Sequence, residues 1–205
     1  EVDSVLRGYW DAGVKRIVAL RGDPAAGIGA RYEPHPDGYA YASDLIAGAK
    51  AIADFDISVG CYPENHPEAR SLQDELDNLK RKFDAGADRA ITQFFFQADT
   101  FLRFRDAAAD AGITRPIVPG IMLQSNFKGL SRMANMCGAY LPKKYADLYE
   151  GLDDDPETRD LVTAHLAADM CNRLQEQGVK DFHFYTMNRA GLSLSTCRLL
   201  GVKPA

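Results

Sequence analysis

Residues 68–96 read EARSLQDELDNLKRKFDAGADRAITQFFF, and this stretch decides the fold. Leu72, Leu76, Leu79 and Phe83 are spaced 4, 3 and 4 residues apart, which lines them along one face of a helix over 68–85. Gly86 follows, and glycine at a helix end accepts the left-handed conformation that turns the chain back sharply. The run 89–96 is then strand-like. The same phrase recurs as Gly13-Val-Lys-Arg-Ile-Val-Ala-Leu, Gly112-Ile-Thr-Arg-Pro-Ile-Val-Pro and Gly178-Val-Lys-Asp-Phe-His-Phe-Tyr. Helix, tight turn and strand in repetition predict a parallel sheet with crossover helices. In such sheets the chemistry collects at the carboxyl ends of the strands.

Working outward, strands are expected near 16–21, 56–62, 89–96, 116–122 and 181–187. Helices are expected near 2–11, 43–54, 68–85, 98–111, 126–137, 156–177 and 190–200. The strands are almost continuously apolar, as in a parallel sheet covered on both faces. Right-handed crossovers leave an open doubly wound sheet or a closed (β/α)8 barrel. A barrel needs eight strands and typically ~250 residues. Five strands, preceded by a helix whose apolar face is Val2, Val5, Leu6 and Tyr9, therefore predict the last five-eighths of a TIM barrel. On this reading residues 1–205 are a single α/β catalytic barrel domain, with about three βα units preceding them elsewhere. Residues 141–155 form an extra helical insertion before the last strand, and Asp153-Asp154-Asp155-Pro156 suits a helix start.

Hydrophobic residues at 46% and charged residues at 26% are ordinary for a soluble globular protein. A formal net charge of −5 argues against non-specific nucleic-acid binding. No apolar run approaches the roughly 20 residues that span a bilayer, and no secretory signal pattern is present. Cys61, Cys137, Cys171 and Cys197 lack metal-ligand spacing and read as reduced, mostly buried thiols of a cytoplasmic protein. His35, His66, His165 and His183 show no metal spacing either. Neither a nucleophile elbow nor a Walker loop occurs, so nucleophilic hydrolysis and nucleotide triphosphate chemistry are unsupported.

The strand ends carry the candidate chemistry. The first ends in Leu20-Arg21-Gly22-Asp23 and enters a long Gly- and Pro-rich loop reaching about Tyr41. Asp23 could stabilise a cation or merely cap the loop. Gly27-Ile28-Gly29 lacks the strand–GxGxxG–helix context of a dinucleotide fingerprint. Tyr62 and His66 follow the second strand and could cradle a planar cofactor or serve as loop and cap residues. Asn78, Arg81 and Lys82 share one side of a helix, either as a phosphate or ribose site or as a solvated face. Gln93 needs partners, from a ligand or from backbone, since an unpaired buried amide costs ~1–3 kcal/mol. Arg189 suits an anionic substrate tail or a salt bridge.

Taken together, LRGD, YASDLI, YPENHPEA, DNLKRKFDAGADRAITQFFF, PGIM-(x)3-NFK, GLDDDPETR and GVKDFHFYTMNRA closely resemble the bacterial-type methylenetetrahydrofolate reductases. The resemblance covers essentially the whole chain. It implies a flavin-containing (β/α)8 barrel that reduces 5,10-methylenetetrahydrofolate to 5-methyltetrahydrofolate, with NADH or NADPH reducing bound FAD, in methionine synthesis. It further implies a homo-oligomer whose partner is a small folate; the composition and spacing above add the expectation of a cytoplasmic protein with no metal, nucleic-acid or membrane partner. Arg21, Gly22 and Asp23 would lie beside the flavin, with Asp23 also touching the pterin as the catalytic carboxylate. Tyr41, Ala42, Tyr62, His66 and Ala69 would line the FAD. Asn78, Arg81 and Lys82 would hold its ribose and phosphates, and Glu75 stands where the family often has Asp. Gln93 would hydrogen-bond the pterin and Arg189 would contact substrate. Met133 occupies the position of a stacking aromatic, and Gly129 that of a substrate-binding Gln. The family's glutamate general acid belongs to an earlier strand that this chain does not include.

The alternative from a different class is a truncated, non-catalytic barrel fragment that at most binds flavin or folate or associates with other subunits. Unpaired strand edges and an opened apolar interior would be its liability. Another flavin barrel, such as a proline dehydrogenase, is disfavoured by the pairing of Asp23 with Gln93.

Overall fold

The computed structural model describes residues 1–22, 24, 32–64, 66 and 68–203. Its elements run α1 (Val2–Asp11), β1 (Arg16–Ala19), α2 (Ala42–Ile52), β2 (Asp56–Cys61), α3 (Leu72–Asp84), β3 (Arg89–Thr92), α4 (Ala98–Asp110), β4 (Ile117–Val118), β5 (Gly120–Met122), α5 (Phe127–Cys137), α6 (Lys143–Tyr149), α7 (Pro156–Glu176), β6 (His183–Tyr185) and α8 (Ala190–Leu199). The chain divides into two units: Glu1–Thr92 with Ala108–Ile117, and Gln93–Ala107 with Val118–Ala205. The four repeated glycines, Gly13, Gly86, Gly112 and Gly178, all take positive φ, as a turn back from helix to strand requires.

In the first unit β1, β2 and β3 pair in parallel, with Ile17 opposite Ile57 and Cys61 opposite Thr92. β4 completes the sheet order β1-β2-β3-β4, and the Ala90 N–H donates to the Pro116 carbonyl at 2.9 Å. Ile46, Ala49, Phe55, Ile57, Val59, Leu76 and Leu79 are buried between helices and sheet. The amino ends of the strands are tied by charge: Arg89 grips Asp56 at 2.6 and 3.1 Å, and Lys50 reaches the Phe55 carbonyl at 2.6 Å and Asp88 at 3.1 Å.

The second unit contains the parallel pair β5–β6, with Ile121 opposite Phe184. Its core is aromatic: Phe94, Phe96, Met122, Leu130, Ala134, Tyr145 and Tyr149 cluster, and Phe96 meets Tyr145 edge-on at 5.2 Å. The insertion at 141–155 holds the short helix α6, and Asp155 caps α7 by accepting from the Thr158 N–H at 3.0 Å, with Pro156 in its first turn.

The parallel α/β architecture is the expected barrel type, but among the described residues the strands form two sheets and no closed barrel. The expected strand at 116–122 is broken into β4 and β5 at Pro119, which has no N–H to give a ladder. The helix expected from residue 68 begins at Leu72, because Ser71 caps it by accepting from the Asp74 N–H at 3.1 Å. Leu72 is consequently 39% exposed, while Leu76 and Leu79 carry the buried stripe. β1 also departs from the two-face burial expected of it: Val18 is 55% exposed, because the face of β1 that carries Arg16 and Val18 is left uncovered among the described residues.

Gly86 is the tightest of the repeated turns. Its φ is +114°, and a Cβ there would lie 3.0 Å from Lys50 Cγ, in the middle of the side chain that bonds Phe55 and Asp88. At Gly13 the φ is +87°, and among the described residues nothing lies within 4 Å of an added Cβ. Gly13→Ala should therefore lose about 1–2 kcal/mol in urea unfolding, from backbone strain alone, and Gly86→Ala should lose more. Equal losses would remove the Lys50 contact from the account.

Candidate functional site

The candidate residues of the first unit gather at the carboxyl ends of β1 and β2. Arg21, just past β1, forms a two-pronged pair with Glu68, Nη1 to Oε2 at 2.7 Å and Nη2 to Oε1 at 3.1 Å. Its guanidinium also lies 4.2 Å from the Tyr32 ring centre, a cation–π contact. The hydrogen bond to Glu68 raises the Arg21 pKa further, and the same bond lowers that of Glu68. Among the described residues, a Cβ added at Gly22 would meet no atom within 4 Å. Asp23 lies outside the described residues.

Tyr41 precedes α2, and its N–H donates to Asp44 at 2.9 Å. Its ring is 5.9 Å from that of Tyr32. Ala42 opens the helix and is buried. Past β2, the rings of Tyr62 and His66 meet edge-on at 4.6 Å. His66 Nδ1 accepts from the Glu68 N–H at 3.0 Å, and the His66 carbonyl accepts from the Ala69 N–H at 2.8 Å.

Glu75 is the anchor beneath this loop. Its carboxylate is 1% exposed and accepts the Tyr62 N–H at 3.1 Å. Burial pushes its pKa up, while the Lys82 charge and the amides of Tyr62 and His66 pull it down. Lys82 shows the mirror image: burial lowers its pKa and Glu75 raises it. Its Nζ donates to the Gly60 carbonyl at 2.7 Å, which places a cation directly under the end of β2. Burial also pushes the neighbouring Cys61 thiol up, so it is no nucleophile at neutral pH. Arg81 is exposed and reaches only Asn78 Oδ1, at 3.4 Å, among the described residues.

The second unit holds Gln93, Met133 and Arg189. Gln93 follows β3, and its Oε1 accepts the Phe94 N–H at 3.0 Å, so backbone satisfies the acceptor. Met133 packs on the aromatic cluster. At Gly129, whose N–H donates to Asn126 at 2.9 Å, a Cβ would make only ordinary contacts. Arg189 stands at the N-cap position of α8 with its side chain turned to other partners, donating to Ser125 Oγ at 2.5 Å and Asp160 Oδ2 at 2.6 Å. Sequence reasoning missed Glu68, Tyr32, Ser125 and Asp160. The first lies in a motif already singled out, whereas the others are distant in sequence from the groups they touch.

Among the described residues no helix is long and apolar enough to cross a membrane, and no cluster of His, Cys, Asp and Glu could hold a metal.

The family model described as methylenetetrahydrofolate reductase matches residues 1–201. The chain is 53% identical over 204 residues to the 5,10-methylenetetrahydrofolate reductase of Escherichia coli K12, covering 100% of this chain and 67% of that protein. It is 36% identical over 213 residues to a rice protein named probable methylenetetrahydrofolate reductase (NADH), covering 98% of this chain and 36% of that one. Among solved structures, an uncharacterized protein from Clostridium thermocellum that binds two copies of 5-methyl-5,6,7,8-tetrahydrofolic acid superposes with a TM-score of 0.56 at 16% identity, over 79% of this chain and 60% of the other. That likeness shows a shared fold. The chain spans about two thirds of the length of the bacterial relatives it matches, and it belongs to the methylenetetrahydrofolate reductase family of oxidoreductases.

Proposed function

We propose that the protein reduces 5,10-methylenetetrahydrofolate to 5-methyltetrahydrofolate with bound FAD, drawing electrons from NADH or NADPH. The observation that carries this reading is the cluster at the end of β2. There the Tyr62–His66 ring pair, 4.6 Å between centres, stands at the head of a helix bearing Asn78, Arg81 and Lys82. A flavin dinucleotide needs flat surfaces for its ring system, an amide for its ribose and cations for its pyrophosphate. The residues fit that need: among the described residues nothing crowds Gly22, Arg81 has donors to spare, and Lys82 is held in place by the Gly60 carbonyl.

FAD, when bound, supplies the hydride chemistry, and the protein positions and tunes it. Arg21, Gly22 and Asp23 lie beside the flavin in this reading. Tyr41, Ala42, Tyr62, His66 and Ala69 line it, and Glu75 orients the lining by holding the loop amides. Asn78, Arg81 and Lys82 hold ribose and phosphates. The Asp23 carboxylate stabilises the positive charge that develops on the folate as its imidazolidine ring opens. Gln93 Nε2 makes no hydrogen bond among the described residues, so it offers its N–H groups to the pterin. Arg189 contacts the substrate, and Met133 provides an apolar wall.

The direct test incubates the purified protein anaerobically with NADH or NADPH and 5,10-methylenetetrahydrofolate and identifies the product by mass. Formation of 5-methyltetrahydrofolate by a protein with a flavin spectrum is expected; a flavin-free, inactive protein would refute the reading. Asp23→Asn should lower folate turnover about 10²- to 10³-fold while FAD stays bound; unchanged turnover would end the assigned role. Arg81→Ala should raise the FAD Kd about tenfold, the loss expected for one charge-assisted hydrogen bond, with the melting temperature of the flavin-free protein unaltered. FAD affinity equal to wild type would place the phosphates elsewhere.

A further inference from the structure

We propose that Asp160 is the positioning residue of Arg189, fixing the guanidinium that the folate substrate meets; this rests on the functional reading above. The backbone around Arg189 is unusual. Met187 and Asn188, immediately before it, take φ of 50° and 58°, a region that residues other than glycine seldom enter. Two such residues in a row persist only where the surroundings over-determine them, and they cluster at functional positions.

The side chain is over-determined as well. Nη1 donates to Ser125 Oγ at 2.5 Å, and Nη2 donates to Asp160 Oδ2 at 2.6 Å. Ser125 follows β5 and is 1% exposed, Asp160 lies on α7, and Arg189 immediately precedes α8. The guanidinium is therefore gripped from two separate elements, and three of its five N–H groups are left over.

Stability is a poor reason for this grip. Asp160 and Arg189 are about a third exposed, where ion pairs contribute little. Asp160 Oδ1, moreover, is buried and makes no hydrogen bond among the described residues, which is unfavourable. An arrangement that leaves an acceptor unsatisfied yet fixes a long, flexible side chain makes sense as pre-organisation for a ligand. The pairing also neutralises Arg189, so the residue offers the substrate directed donors rather than a free charge.

The test is a cycle of Asp160→Asn, Arg189→Ala and the double variant in the purified enzyme, with kcat and KM measured for 5,10-methylenetetrahydrofolate at saturating electron donor. Asp160→Asn should raise the folate KM about tenfold or more, as misplacement of a substrate-positioning group does, with a smaller change in kcat. In the Arg189→Ala background the same substitution should change KM less than about twofold, because distinct effects through one group do not add. A purely structural role would lower the melting temperature and act equally in both backgrounds. A folate KM equal to wild type in Asp160→Asn, or an undiminished effect beside Arg189→Ala, overturns the proposal. Should Asp160→Asn fail to fold, Ser125→Ala removes the other tether and is read in the same way. Wild-type protein without folate reduction would overturn the functional reading and this one with it; an active wild type with an indifferent Asp160→Asn overturns this one alone.

Discussion

The buried carboxylate of Glu75 is the constraint on which the first-unit site depends. A carboxylate removed from water must be paired and hydrogen-bonded. Glu75 obtains this from the amides of Tyr62 and His66 and from the charge of Lys82, two helical turns further along α3. Lys82 in turn is tied to the Gly60 carbonyl. Strand end, loop and helix are thereby one electrostatic unit: the loop cannot move without stranding the carboxylate, and the lysine cannot leave without stranding both. Without the Lys82 charge the buried carboxylate would be left with its amide donors alone, a less favourable state for a group removed from water. The strand end and the ring of Tyr62 stay in register because the carboxylate and the ammonium beneath them each hold a backbone group there.

What was legible in the sequence was local. The repeated glycines announce positive φ because no side chain hides the requirement, and all four have it. The stripe of Leu76 and Leu79 announces its buried face for the same reason. Two boundaries were misplaced although their causes were in plain view: Ser71 with Asp74 is a helix cap, and Pro119 interrupts a ladder. Other features are not local. The apolar run of β1 looks the same whether both faces are covered or Val18 stands half in solvent, because exposure depends on what covers each face of the strand. Arg21 finds Glu68 across 47 positions and Arg189 finds Asp160 across 29, distances over which spacing carries no signal. The family resemblance named Arg21 and Arg189 as ligand-facing, but gave no hint that each already holds a carboxylate.

That difference separates the arginines into two physical kinds. Arg21 and Arg189 are each paired to an acid, so their net charge is small and their planes are fixed. Such a group recognises by direction: its remaining N–H groups point along set lines, and little side-chain freedom is lost when a ligand arrives. Arg81, among the described residues, has only a long contact to Asn78 and no carboxylate partner. A mobile, unpaired cation suits a pyrophosphate, whose charge is high and whose oxygens tolerate many approaches. A pre-paired one suits a reacting ring or a substrate that must be held at one angle, where a misplacement of about 1 Å can cost 10²-fold in rate. Within the first unit Arg21 is thus a fixed donor set and Arg81, among the described residues, a freer one; within the second unit Arg189 is of the fixed kind.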